Sequence, residues 1–273
     1  MKEPVKNILK NSPRMTLHDT FTFTCNKDIP CFNKCCADIN IALTPYDIIR
    51  LKNHLGISSD EFIKKYAVIP FNKEQKIPVV IMKLRDNEKK TCHFVEKEGC
   101  TVYKNRPWAC RMYPVGLASS EQKENNENEE FYFLLQEDGC KGLEEKREIT
   151  VKDWISEQGI NKYNEMGKLF KDITMHKYLL DGNDLTPEQM EMFFMVNYNI
   201  DKLRRFVFES SFLDKFEVDA STQERIKQND VELLKFGYLW LRFILFKEQT
   251  MTINKEILRK KTEELKKAKA KDK

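Results

Sequence analysis

Glycine is scarce in this sequence. The chain of 273 residues holds 9, and no two stand as G-x-G, which excludes the glycine-rich loops that cradle dinucleotides and nucleoside triphosphates. Histidine is scarcer, with 4 residues, none in an H-E-x-x-H arrangement, so the common zinc-protease signature is excluded as well. Long apolar runs are missing. The most apolar stretch, 236–246 (FGYLWLRFILF), is too short to cross a bilayer and carries Arg242. The opening residues, MKEPVKNILKNSPRM, lack the apolar stretch of roughly 7–15 residues that an export signal needs. These absences lead us to expect a cytoplasmic protein without a membrane span.

Charge of one sign is also lacking over most of the chain. The formal charge of +4 arises from residues 259–273 (RKKTEELKKAKAKDK), where eight basic residues face three acidic ones; the rest carries 39 basic and 40 acidic residues. The basicity is that of a tail and reads as a solvated helix end rather than a nucleic-acid or membrane contact.

Cysteine is present in quantity, but only in one region. All eight lie between positions 25 and 140. In a reducing compartment such a set points to metal ligands or reactive thiols rather than disulfides. We therefore expect an α+β protein. Residues 1–145 would form a cysteine-rich metal-binding domain with a few short strands, 146–258 a mainly helical part, and 259–273 the basic tail.

Local signals place some elements. Thr44-Pro45 caps a helix over 46–54 that Gly56 ends, and Ser58 or Ser59 opens a second through Tyr66. Strands are expected over 77–84, 91–95 and 131–136, and a short helix over 107–112 with Asn105 as its cap. Residues 121–130 (EQKENNENEE) have no apolar side chain and read as an exposed loop. Thr186-Pro187-Glu188 begins a helix whose inward face is Met190, Phe193, Phe194, Tyr198 and Leu203. Another runs from about 222 to 247 with Ile226, Leu233, Leu234, Tyr238, Leu241 and Leu245 inward. These stripes read as helix packing. A protein substrate or partner would meet this helical half.

The cysteines form two groups, Cys25-x5-Cys31-x3-Cys35-Cys36 and Cys92-x7-Cys100-x9-Cys110, with Cys140 following. Thiolates are soft ligands suited to zinc and to iron–sulfur clusters, each of which takes about four. Paired C-x2-C knuckles, frequent in structural zinc sites, are absent. His93 neighbours Cys92, while His18, His54 and His176 have no ligand-like spacing. An all-cysteine supply with an adjacent pair fits iron–sulfur ligation at least as well as zinc. Neighbouring cysteines point in different directions, so Cys35 and Cys36 need not share one metal. Eight thiolates could serve two four-ligand sites, or one site plus redox-active thiols. Cys140 follows a turn, Asp138-Gly139, that could swing its sulfur back to the others. Asp38 and Asp138 are placed as candidate bases but read more simply as turn residues.

The run Cys100-Thr101-Val102-Tyr103-x-x-Arg106-Pro107-x-x-Cys110-Arg111-x-Tyr113-Pro114, taken with Cys25, Cys31, Cys35, Cys36 and Cys92, resembles the YkgJ-type cysteine-cluster family. The resemblance covers about residues 20–145. The gaps around Cys25 and Cys31 are longer than the family's C-x2/3-C-x2-C-C. That family is described as zinc- or iron-chelating and is related to flagellin lysine N-methylases, which share the cluster and an iron–sulfur cofactor. The resemblance implies a metal domain, with one or two [4Fe-4S] clusters or zinc, able to support methyl-transfer or redox chemistry on a protein substrate. Arg106, Arg111 and Tyr103 are its candidate cofactor-binding residues, because cations and hydroxyls near thiolates offset their charge. Three functional classes follow: a metal-binding protein, a cluster-dependent methyltransferase or redox enzyme, and a thiol-based redox sensor.

Overall fold

The structure is a computed structural model and describes residues 12–70, 76–121, 128–137 and 139–255. The basic tail and Asp138 lie outside the described residues. Two compact units interleave along the chain. One comprises Met1–Leu43 and Ile81–Met166, the other Thr44–Val80 and Gly167–Lys273, with the third crossing falling inside the helix Asn161–Thr174.

The first unit holds all eight cysteines. Its strand Thr20–Thr22 pairs antiparallel with Glu148–Thr150, Phe21 opposite Ile149. Alternation sends Phe21 and Phe23 inward, leaving Thr20 and Thr22 outside. A hairpin joins Val115–Glu121 to Asn128–Leu134, in register from Val115↔Leu134 to Glu121↔Asn128. Both strands therefore run into the stretch expected to be an exposed loop. A polar sequence can still pair through its backbone, and residues 122–127 lie outside the described residues.

The core of this unit gathers Phe21, Phe23, Met112, Val115, Ile149, Val151, Trp154, Ile155 and Ile160. Trp154 is its hub. Phe21 and Phe23 meet it edge-on with ring centres 6.0 and 5.4 Å away, and its indole N–H donates to the Met112 carbonyl at 3.1 Å. Truncating such a residue costs about 3–5 kcal/mol. Three chain segments that carry cysteines end on this core: the strand before Cys25, the helix Trp108–Met112 with Cys110, and Cys140 itself, packed against its edge.

Three local expectations change in this unit. Asn105 does not cap the Cys110 helix. It belongs to a 3₁₀ turn, Tyr103–Asn105, and Arg106 is extended as a residue before proline must be, so the helix starts after Pro107 without a side-chain cap. Of the strand expected over 77–84, only Ile81–Met82 forms, with Ile81 bridging to Ala42 and Leu84 to Cys92. The strand expected over 91–95 dissolves into single bridges at Thr91 and Cys92, and pairing resumes at Val95–Glu96 with Gly99–Cys100.

The second unit is helical. Pro45–Leu55 starts with a capping box between Thr44 and Asp47 and ends at Gly56 in the left-handed region (φ 65°). Ser59–Tyr66 is capped by Ser58, and Pro187–Tyr198 by a second box between Thr186 and Gln189. The two long helices expected downstream are each broken at an asparagine. Asn199 caps Ile200–Glu209, and Asn229 separates Ala220–Gln228 from Asp230–Phe246, in both cases by accepting backbone N–H groups of the next turn. Asp230–Phe246 packs closely enough that a Cβ on Gly237 would lie 2.7 Å from Val196 and 2.9 Å from Leu203. Ile226, Leu233, Leu234, Tyr238, Leu241 and Leu245 are all buried. Among the described residues no helix is long and apolar enough to cross a membrane.

Candidate metal centre

Backbone contacts gather the cysteines from four separate stretches of chain. Cys35 and Cys36 lie on a 3₁₀ turn, Lys34–Cys36, entered through Asn33 in the left-handed region (φ 64°). The Cys92 amide donates to the Cys36 carbonyl at 2.8 Å, and Ala37 bridges to Thr91. Val95 returns its N–H to Cys92 at 3.3 Å and pairs with Cys100. Cys100 then leads through the Tyr103–Asn105 turn into the helix bearing Cys110. On another side, the Lys141 amide donates to the Cys31 sulfur at 3.2 Å, and the Thr24 amide to the Gly142 carbonyl at 3.0 Å, so the Cys140 turn lies along both Cys31 and the Cys25 strand.

The thiols sense one another. Burial first, and then the charges of Cys35, Cys31 and Cys140, push Cys25 up to about 11. The Cys36 thiol donates to Cys35, which brings Cys35 down to about 7 and drives Cys36 well up. Cys110 and Cys92 add to the upward shift of Cys36. Burial raises Cys92 and Cys100, opposed by backbone N–H groups of Phe94 and Val102 that point at their sulfurs; the Phe94 contact is 3.5 Å. Cys25 and Cys35 are exposed and the other six half-buried; like-charged thiolates held near one another repel, and a metal cation relieves that repulsion. Among the described residues, no three His, Cys, Asp or Glu side chains already converge on one point at ligand distance. The thiols share a neighbourhood without being closed around an ion.

The motif residues around them separate by role. Arg106 is buried, and its charge is felt by Cys25, Cys100 and Cys110. Its guanidinium stacks on the Tyr103 ring at 3.8 Å and donates to the Tyr103 carbonyl at 2.7 Å and to Gln158. Tyr103 itself is exposed, under the arginine rather than against a sulfur. Arg111 serves the backbone. It donates to the carbonyls of Arg106 at 3.0 Å, Gln158 at 2.6 Å and Lys104, and lies over the Tyr163 ring at 4.6 Å. Asp38 is exposed and pairs with Lys90 at 3.6 Å, a turn residue with positive φ.

Sequence reasoning assigned nothing to three further residues. Arg85 clamps the Cys92 turn by donating to the carbonyls of His93 (2.9 Å) and Val95 (3.0 Å). The Tyr113 hydroxyl is buried without a hydrogen bond of ordinary length, within reach of the Cys140 sulfur, and burial together with that sulfur raises its pKa. Gly142 gives the turn after Cys140 its close approach to Thr24. Of these only Tyr113 had a signal, its place in the Arg-x-Tyr-Pro run.

A model of the CxxCxxCC family, described as "Putative zinc- or iron-chelating domain", matches residues 24–141, a span that begins one residue before Cys25 and ends one after Cys140. Over these residues the chain is similar to this cysteine-cluster family. The rest of the helical part lies outside the match, and no curated protein and no solved structure matches the chain. The cysteine-cluster domain supports chelation of zinc or iron through its cysteines. Its side chains fit such a group. The donors are soft thiols, and a buried hydroxyl lacking an ordinary partner stands where it could donate to a metal-bound sulfur.

Proposed function

We propose that the cysteine-cluster domain holds iron as an iron–sulfur cluster, most simply of the [4Fe-4S] type, in a reducing, cytoplasmic setting. The observation that carries the reading is the donor set: eight cysteines, none in a disulfide, drawn from distant stretches of chain into one unit. The side chains that shift Cys25, Cys35, Cys36, Cys92 and Cys100 include other cysteines, Arg106, Arg85 and Glu137. A four-cysteine set is the common ligation of such clusters. Zinc is the second reading, which the family description favours equally.

When bound, an iron–sulfur cluster supplies one-electron redox chemistry or a Lewis-acidic iron. The chain's own contribution would be to supply thiolates, to point the Phe94 and Val102 amides at two of them, and to place the Arg106 cation beside three. Anaerobic purification of the full chain, with visible absorption and analysis of iron, acid-labile sulfide and zinc, tests the reading. Broad visible absorption with iron and sulfide in equal amounts supports it. A colourless protein with stoichiometric zinc overturns the cluster and leaves thiolate chelation intact.

A further inference from the structure

We propose that the eight cysteines divide into two four-thiolate metal sites, with Cys35 and Cys36, adjacent in the chain, assigned to different sites. One site takes Cys25, Cys31, Cys35 and Cys140; the other takes Cys36, Cys92, Cys100 and Cys110. The division rests on the proposed metal binding by cysteine but holds for either metal.

Two chains of backbone contacts carry it. The first links Cys25 to Cys140 through the hydrogen bond from Thr24 to Gly142 (3.0 Å), and Cys140 to Cys31 through the Lys141 amide on the Cys31 sulfur (3.2 Å). The second links Cys36 to Cys92 through their amide–carbonyl bond (2.8 Å), Cys92 to Cys100 through the turn closed at Val95, and Cys100 to Cys110 through the short turn and helix that follow.

Cys35 and Cys36 are where the groups meet. On a 3₁₀ turn of three residues, consecutive side chains leave the axis about 120° apart, so one faces away when the other faces a ligand. Cys35 lies in charge range of Cys25 and of Tyr113, the tyrosine beside Cys140, while Cys36 lies in range of Cys92 and Cys110. The hydrogen bond between the two thiols joins neighbouring sites. Arg106, felt by Cys25 in the first group and by Cys100 and Cys110 in the second, offsets the charge that two thiolate-rich sites would place side by side.

The test is metal content of the anaerobically purified full chain, expressed as a fraction of the parent protein's, for Cys31→Ser, Cys100→Ser, the same-group pair Cys31→Ser with Cys140→Ser, and the cross-group pair Cys31→Ser with Cys100→Ser. Division predicts that both single variants and the same-group pair keep about half of the metal, and that the cross-group pair keeps none. A single variant that loses all metal, or a same-group pair that does, overturns it. Should a variant fail to fold, native mass spectrometry of the parent protein during stepwise chelation gives the same answer: a half-loaded species must appear between full and empty. Direct passage from full to empty overturns the division while leaving cysteine metal binding in place. A parent protein without metal overturns both.

Discussion

Replacing Gly142 by alanine tests how the cysteine segments are held. Gly142 is buried, one residue past Lys141 and two past Cys140. A Cβ there would lie 2.5 Å from the Thr24 carbonyl oxygen and 2.8 Å from the Phe23 ring. The oxygen is backbone, and the ring is held edge-on by Trp154 and Tyr113 at 5.4 and 5.9 Å. Neither can turn aside. The turn must therefore lift from the Cys25 strand by about half an ångström or more, which strains the core by about 1–3 kcal/mol. It also stretches the bond from Thr24 to the Gly142 carbonyl, worth about 1 kcal/mol. The sum is about 2–4 kcal/mol, or roughly 5–12 °C in the melting temperature of a unit of this size. Denaturant unfolding of the full chain, followed by Trp fluorescence and by far-ultraviolet dichroism, reads this directly. Destabilisation below about 0.5 kcal/mol would refute the packing of the Cys140 turn on the Cys25 strand.

Further outcomes follow from the same geometry. Gly167→Ala, within the helix Asn161–Thr174 and with no atom within 4 Å of the new Cβ, should stabilise by about 0.5–1 kcal/mol; a loss of stability in the same denaturant experiment would contradict the open surroundings. Arg111→Lys keeps the charge but not the fork that spans three carbonyls, and should cost about 2–4 kcal/mol, against less than 1 if the arginine were only a surface cation. In metal-free protein, Cys35 should be the first thiol alkylated by iodoacetamide, because its thiolate forms as pH rises through about 7, whereas Cys25 must wait for about 11. Cys36→Ala removes the donor to Cys35 and should move that midpoint upward; an unchanged midpoint, read by mass spectrometry of the labelled peptide, would contradict the hydrogen bond.

What the sequence disclosed was what is decided locally. The helix starts at Thr44-Pro45, Ser58 and Thr186-Pro187 were legible because a cap is a contact between residues three apart, and Gly56 because a left-handed end needs glycine. The breaks at Asn199 and Asn229 were hidden by apolar stripes that continue across them, although asparagine is itself a capping residue. The interleaving of the two units was not legible. Whether residues 44–80 join the cysteines or the helices depends on contacts far apart in the chain, which periodicity does not encode. At the candidate site the cysteines announced themselves by number and confinement. Their neighbours did not: Arg85 looks like any surface arginine until its fork is seen closing the Cys92 turn, and Arg111 looks like a thiolate partner until its donors are traced to carbonyls.

X-ray absorption at the iron and zinc edges of the anaerobically purified full chain tests most directly whether cysteine sulfur holds the metal. Cysteine ligation gives a first shell made of sulfur alone, at about 2.3 Å whether the metal is zinc or iron, with an additional iron–iron shell if the cluster is present. A first shell dominated by nitrogen or oxygen near 2.0–2.1 Å would mean that histidine, carboxylate or solvent binds the metal, and would contradict it.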